Sequence, residues 1–288
     1  MTTSDHILVN TQATLEITFT SGDATGDVTY IVTDAAGATV ASGTATNETE
    51  PGRYTFLLAP QATVAELSIA WTGTWNSAVQ TLTTTAEIVG AYLFNISEAR
   101  AYDKGALASD TVYTDEAIRT ARVGITDFFR QVTGMSFVPR YGRTVLDGDG
   151  GPELKVPASN LSEILSATVN GTALTPSELA EVTVYPEGIL YRAAGWARSS
   201  TSRRRNITVG YEYGHHQAPW DIHEAALMFL RYVMVPSDVS DRTITWTNEL
   251  GTFRQAVPGE KYPTGIPAVD AALSRYPRRS AMRSMALS

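Results

Sequence analysis

Near residue 90 the hydrophobic pattern changes period, and that change constrains the fold more than any other feature. Before it, apolar and polar residues alternate in four runs: Leu15/Ile17/Phe19, Val28/Tyr30/Val32, Tyr54/Phe56/Leu58 and Leu67/Ile69/Trp71. Period two marks strands with one buried face. Turn signals separate the runs, among them Ser21-Gly22-Asp23, Asp34 to Gly37, Ser42-Gly43, Pro51-Gly52 and Thr72-Gly73. Thr supplies 21 of the first 90 residues and no window there is helical. This spacing predicts a β-sandwich of about seven strands over residues 1–90.

After residue 90 a helical period appears. Ser97 is the expected cap of a first helix running from Glu98 towards Leu107, weakened by Gly105. A stronger helix follows, with Thr114 as N-cap, Asp115 and Glu116 in its first turn, and Gly134 as its stop. Ile118, Ala121, Ile125, Phe129 and Val132 form its apolar face. The middle is β-rich. Thr144–Leu146 and Glu153–Val156 flank Asp147-Gly-Asp-Gly-Gly151 and predict a hairpin, Asn170-Gly171 predicts another, and short strands are expected at Ile189–Tyr191 and Ile207–Tyr213. A third helix begins after Pro219-Trp220, with Asp221 and Glu224 at capping-box spacing, and ends at Pro236. A hairpin around Asn248 to Gly251 and a short helix from Pro267 close the pattern.

Charge divides at the same place. The net charge is −8. Residues 1–90 hold nine acids and one base, Arg53, whereas residues 91–288 hold 21 of each sign. The asymmetry predicts two units with different surfaces and argues against nucleic-acid binding by the first. The boundaries expected are 1–90, 91–277 and a basic tail, 278–288. Cys is absent, which excludes disulfides, thiolate metal sites and a Cys nucleophile. No apolar run reaches the roughly 18 residues of a membrane helix, and MTTSDHILVN lacks the pattern of a secretory signal.

Each candidate for chemistry has a plainer reading. The DGDGG run resembles an acidic calcium loop, but Ala158 stands where an EF-hand needs its Glu, so a Gly-rich turn is expected. His215, His216 and His223 lie near Asp221 and Glu224 without an HExxH spacing, which predicts a polar loop before a helix. Trp71 and Trp75 suggest a sugar platform, yet Trp71 is in phase with Leu67 and Ile69, so core and end-cap positions are expected. No G-x-S-x-G, P-loop or G-x-G-x-x-G occurs. We therefore expect no enzyme, no cofactor and no metal. Arg203-Arg204-Arg205 and the tail residues Arg278, Arg279 and Arg283 are the basic clusters expected to meet DNA or an acidic partner surface.

The segments GDVTYIVTDAAGATVASGTA, PGRYTFLLAP and LSIAWTGTWNSAVQTLTTTAEIVG resemble the immunoglobulin-like modules attached to phage structural proteins and bacterial surface proteins. The order DEAIRTARVGITDFFRQVTGMSFVPR, TVLDGDGGPELKV, ILSATVNGTAL, LYRAAGW, ITVGYEYGHHQAPWDIHEAALMFLRYVM and NELGTFRQAVPG…TGIPAVDAALSRY is similar to that of the head–tail connector (adaptor) proteins of tailed phages. That resemblance covers about residues 95–277; the leading sandwich lies outside it. It implies an α+β connector domain with a helical core and β-hairpins, and a virion structural protein assembled in the host cytoplasm. It further implies a homo-oligomeric, dodecameric ring at the phage neck that touches the portal protein and a stopper or tail-terminator protein. Genomic DNA would pass through the ring without sequence readout, no membrane is involved, and the C-terminal segment would reach towards the portal. The alternatives are a stopper or tail-terminator ring of the same neck, or a glycan-binding, adhesin-like surface protein using the sandwich.

Overall fold

The computed structural model describes residues 5–200, 204–235, 245–248, 251–254 and 263–276. The fold is β-rich and multidomain, and it divides into two compact units. One joins Met1–Ala91 to Val138–Gly214; the other joins Tyr92–Phe137 to His215–Ser288. The first ninety residues therefore belong to a larger β unit, and the segment expected to form one connector domain contributes to both.

Residues 5–89 form eight strands: β1 (Asp5–Leu8), β2 (Ala13–Thr18), β3 (Thr29–Asp34), β4 (Thr39–Thr44), β5 (Thr46–Asn47), β6 (Arg53–Leu58), β7 (Ala65–Trp75) and β8 (Ala78–Val89). They make a five-stranded sheet, β1-β8-β7-β3-β4, and a three-stranded sheet, β2-β6-β5. The alternating residues fill the space between them. Leu15, Ile17, Tyr54, Phe56 and Leu58 from one sheet meet Val32, Leu67, Ile69, Trp71 and Ile88 from the other in one core. Tyr30 stacks on Phe56 across the layers, with ring centroids 3.8 Å apart. The first strand pairs with the last in parallel, placing His6 beside Glu87.

In chain order the remaining elements are α1 (Ile96–Gly105), α2 (Asp115–Thr133), β9 (Arg140–Leu146), β10 (Glu153–Lys155), β11 (Leu161–Val169), β12 (Thr172–Ala173), α3 (Pro176–Ala180), β13 (Thr183–Tyr185), β14 (Ile189–Tyr191), β15 (Ile207–Tyr213), α4 (Trp220–Met234), β16 (Thr245–Asn248), β17 (Gly251–Arg254) and α5 (Pro267–Ser274). The sheets β12-β11-β15-β9 and β10-β14-β13 complete the first unit around Leu154, Leu161, Leu190, Trp196, Ile207 and Val209. Asn170 and Gly171 both take positive φ, 53° and 86°, as the expected two-residue hairpin turn requires. Two strand glycines make room for aromatic rings: a Cβ on Gly142 would lie 2.5 Å from the Tyr211 ring, and one on Gly210 would lie 2.9 Å from the Tyr141 hydroxyl.

The hairpin expected across residues 147–151 does not form. The strand β9 pairs along its length with β15, and β10 pairs with β14 in another sheet. The Gly-rich link packs its backbone on residues 196–199 instead: Trp196 N donates to Gly151 O (2.8 Å) and Ser199 N to Gly148 O (2.7 Å). A local turn signal lost to long-range pairing, because β15 carries the apolar residues that fill the core.

Within this unit the sandwich and the middle strands are clasped together. Gly90 N donates to Pro139 O (2.9 Å). Arg140 grips Glu87 through two nitrogens, its Nε standing 2.6 Å from Oε1 and its Nη2 bonding Oε2. The imidazole Nε2 of His6 lies 3.3 Å from Arg140 Nη2 and 3.6 Å from Glu87 Oε2. Side-chain exposures of 3% for His6, 5% for Arg140 and 13% for Glu87 place all three out of bulk water.

The helical unit packs α2 and α4 through Phe128, Phe129 and Phe229, with Phe129 stacked on Phe229 at 6.1 Å. Thr114 caps α2 by accepting from Ala117 N (3.2 Å), and Gly134 ends it at φ 71°, both as expected. Two caps differ from expectation. Asn95, not Ser97, precedes α1, and Glu98 reaches back to accept from its amide (2.7 Å). Pro219 occupies the N-cap of α4, so Asp221 sits inside the first turn. Its carboxylate accepts from Ile222 N (3.0 Å), Tyr276 OH (3.0 Å) and Arg275 Nη1 (3.2 Å), tying the end of α5 to the start of α4. Arg122, buried on α2, donates to Phe94 O (3.2 Å) and lies 3.4 Å over the Tyr92 ring, and burial lowers its pKa from the ordinary value.

Candidate functional site

The aromatic pair of the sandwich offers no platform. Trp71 is fully buried and its Nε1 donates to Thr84 Oγ1 (2.9 Å). Trp75 is also buried; its Nε1 donates to Gly22 O (2.8 Å) and its ring lies 4.2 Å from that of Phe19. Their indole faces are spent on core packing.

The histidines do not converge either. His215 stacks on Phe137 with centroids 5.8 Å apart, and burial lowers the pKa of its imidazole from the ordinary value. His223 turns towards Glu98 (3.5 Å) and Glu224 (4.0 Å). Among the described residues no group of three or more His, Asp or Glu is arranged to hold a metal ion.

The built feature is a set of loops held by Asn206, which is 8% exposed. Its Oδ1 accepts from Gly148 N (3.0 Å), and its Nδ2 donates to Ala197 O (3.0 Å) and Asn170 Oδ1 (3.3 Å). Its carbonyl accepts from Asn170 N (2.8 Å). One buried amide thus ties the 147–151 link, the 196–199 segment and the Asn170-Gly171 turn to the base of the arginine run. Gly148 is required there, because a Cβ would run into the carbonyl of Ala197. The Arg205 amide donates to Asp147 Oδ1, and Arg205 takes φ 55°, a left-handed value that costs a residue with a Cβ about 1 kcal/mol or more. Arg198, whose Nε donates to Asp149 O (3.0 Å), completes the group. Arg198, Arg204 and Arg205 are exposed, and no carboxylate among the described residues pairs with any of the three guanidinium groups. Arg203, Arg278, Arg279 and Arg283, also expected as partner contacts, lie outside the described residues. Beside the loops, a cleft of about 370 Å³ lies among Leu146, Asp147, Asp149, Glu153, Lys155 and Ile189.

Charge of the opposite sign gathers at one end of the sandwich, which sequence reasoning registered only as a total. Three connections meet there: residues 19–28, 48–52 and the turn at Asn76-Ser77. They are joined by Gly52 N to Asp23 Oδ1 (2.8 Å), Phe19 N to Gly52 O (2.8 Å) and Thr25 N to Thr74 O (2.7 Å). Asp23, Asp27, Glu48 and Glu50 are exposed on them. The local base, Arg53, is held by Glu16 on β2 and lies 3.6 Å from Glu50. Val79, 72% exposed, stands next to the turn.

No protein-family description matches this chain, and no curated protein does. Among solved structures, the crystal structure of CopC from Methylosinus trichosporium OB3b is similar over 30% of this chain and 83% of its own length, with 16% sequence identity and a TM-score of 0.26.

Proposed function

We propose that this chain is a non-enzymatic structural protein of a tailed-phage neck. In this reading it is a head–tail connector (adaptor) whose copies form a dodecameric ring between the portal and the next neck or tail component, with an added immunoglobulin-like sandwich at its N-terminus. The observation that carries the reading is the order of elements after residue 95. The 19-residue α2 is followed by an inserted block of strands, then by α4, the hairpin β16–β17 and α5. Helices from both sides of the insertion pack into one unit.

Function in such a protein is geometry. A ring closes by repeating one heterologous contact through a rotation. The end of α4 offers apolar surface for such contacts, with Val233 57% and Tyr232 39% exposed. DNA would pass the ring without base readout. The test is imaging and native mass measurement of necks purified with portal-bearing heads. A ring of this chain seated directly on the portal supports the adaptor reading, whereas a ring one layer further out makes it a stopper or terminator. Absence of the chain from the particle overturns the reading.

A further inference from the structure

The first unit carries two exposed surfaces of opposite sign: the arginines of one have no carboxylate partner among the described residues, and the acids of the other outnumber their local base, Arg53, which lies 3.6 Å from Glu50. One is the arginine group Arg198, Arg204 and Arg205 on the loops tied by Asn206. Of the eight basic residues between 138 and 214, four lie within 198–205; of the eight acids, Asp147 and Asp149 lie on the link bonded to the arginine group and, among the described residues, do not ion-pair with it. The other is the acidic end of the sandwich, with Asp23, Asp27, Glu48 and Glu50 exposed on its loops and Val79 exposed next to the Asn76-Ser77 turn. Both are framed rigidly: the arginines by a buried amide and a left-handed residue, the acids by hydrogen bonds between three loops.

We propose that the arginine loops of one copy dock on the acidic end of the sandwich of a second copy, so that the sandwich is the receptor in a head-to-tail contact. This rests on the ring reading above and gives the N-terminal module a role in it. Like meets like in any two-fold pairing of either surface, acid on acid or arginine on arginine, and such pairing repels. Pairing arginine with acid joins different patches, and where the second pair of patches is left free it propagates around a ring. Planar guanidinium groups match carboxylates bidentately, and their methylene stems can lie on Val79. Each exposed pair is weak alone, but in a closed ring every subunit is held by two such contacts, one through each surface.

The experiment uses the full chain in sedimentation, at about 0.1 M salt, where charges are screened over about 10 Å, and at about 1 M, where the length is about 3 Å. The wild type is expected to self-associate at the lower salt and to dissociate at the higher. Arg204→Glu/Arg205→Glu is expected to weaken association about tenfold or more, and so is Asp27→Lys/Glu50→Lys, with urea midpoints of both close to wild type because these side chains are exposed. Mixing the two variants should restore association, since each supplies the surface the other has lost. Rescue on mixing is the outcome that an unspecific charge effect does not produce. Assembly of both variants as well as wild type would overturn the docking and leave the ring reading standing. Loss of duplex-DNA binding by the arginine variant, with assembly intact, would assign the loops to nucleic acid and overturn it too. A wild type that stays monomeric at every concentration and salt would remove both the docking and the support for a self-assembling ring.

Discussion

Removing Arg140 should cost the first unit more than any surface change. The guanidinium is bidentate on Glu87, and Glu87 faces a second carboxylate, Glu66, directly across the β7–β8 register. In Arg140→Met, Glu87 stays near His6 with its only bidentate partner gone and a like charge opposite. Breaking a pair this deeply buried costs about 3–5 kcal/mol. For a unit of this size each kcal/mol moves the melting temperature by about 2–4 °C, so a fall of about 6–20 °C is expected. Glu87→Gln should act in the same direction by stranding Arg140. The double variant should cost less than the sum, with a coupling of about 1–3 kcal/mol. Fluorescence in urea reads this unit, because Trp71, Trp75 and Trp196 are all buried in it. Single costs below about 1 kcal/mol, or additivity within about 0.5 kcal/mol, would refute the reasoning.

Gly148→Ala should destabilise by about 1–3 kcal/mol or more, since the added methyl meets the Ala197 carbonyl, and an unchanged urea midpoint would show that the 196–199 segment yields freely. Asp221→Ala should lower the melting temperature of the helical unit by removing the acceptor of Tyr276 and Arg275, at about 1 kcal/mol per lost bond, and calorimetry would show it as a shift of one transition. Tyr211 has its phenol pushed up to about 12 by burial, whereas an unfolded tyrosine ionises near 10, so stability should fall as pH rises above about 10, and Tyr211→Phe should blunt that loss in alkaline melts. His215 is held neutral by burial, so the unfolded chain takes up the proton first as pH falls through about 6.5; stability should drop below that pH, and less so in His215→Phe.

Much of the sandwich was legible because its core is written in period two: Leu15, Ile17, Phe56 and Ile69 are buried where alternation put them. The end signals of α2 were equally local, with Thr114 and Gly134 acting within one turn. What failed was non-local. Nothing near residue 147 records that β9 must pair with β15 rather than β10, since partner choice is settled some sixty residues away. The role of Asp221 was misread because Pro219 fits the helix start and leaves the carboxylate free to bond α5. The candidate docking surfaces were half visible: Arg204 and Arg205 stood out, but the buried Asn206 that frames them looked like any polar loop residue, and the acidic end emerged only when the strand register brought Asp23 beside Gly52.

The interleaving of the two compact units has a consequence for how the chain is made. At about 5–20 residues per second, Gly214 leaves the ribosome roughly 6–25 s after Ala91. Until Arg140 follows, Glu87 and His6 wait on the sandwich for their partner, and through the rest of the interval α2 has no α4 to cover Phe129. Neither unit can close before the other has begun: a chain stopped before residue 140 lacks the guanidinium that answers Glu87, and one stopped between 133 and 220 carries α2 with no α4 to cover it. Such nascent chains are natural clients for chaperones, and profiling of chaperone-bound ribosomes should find engagement concentrated after residue 133, once α2 is made and α4 is not.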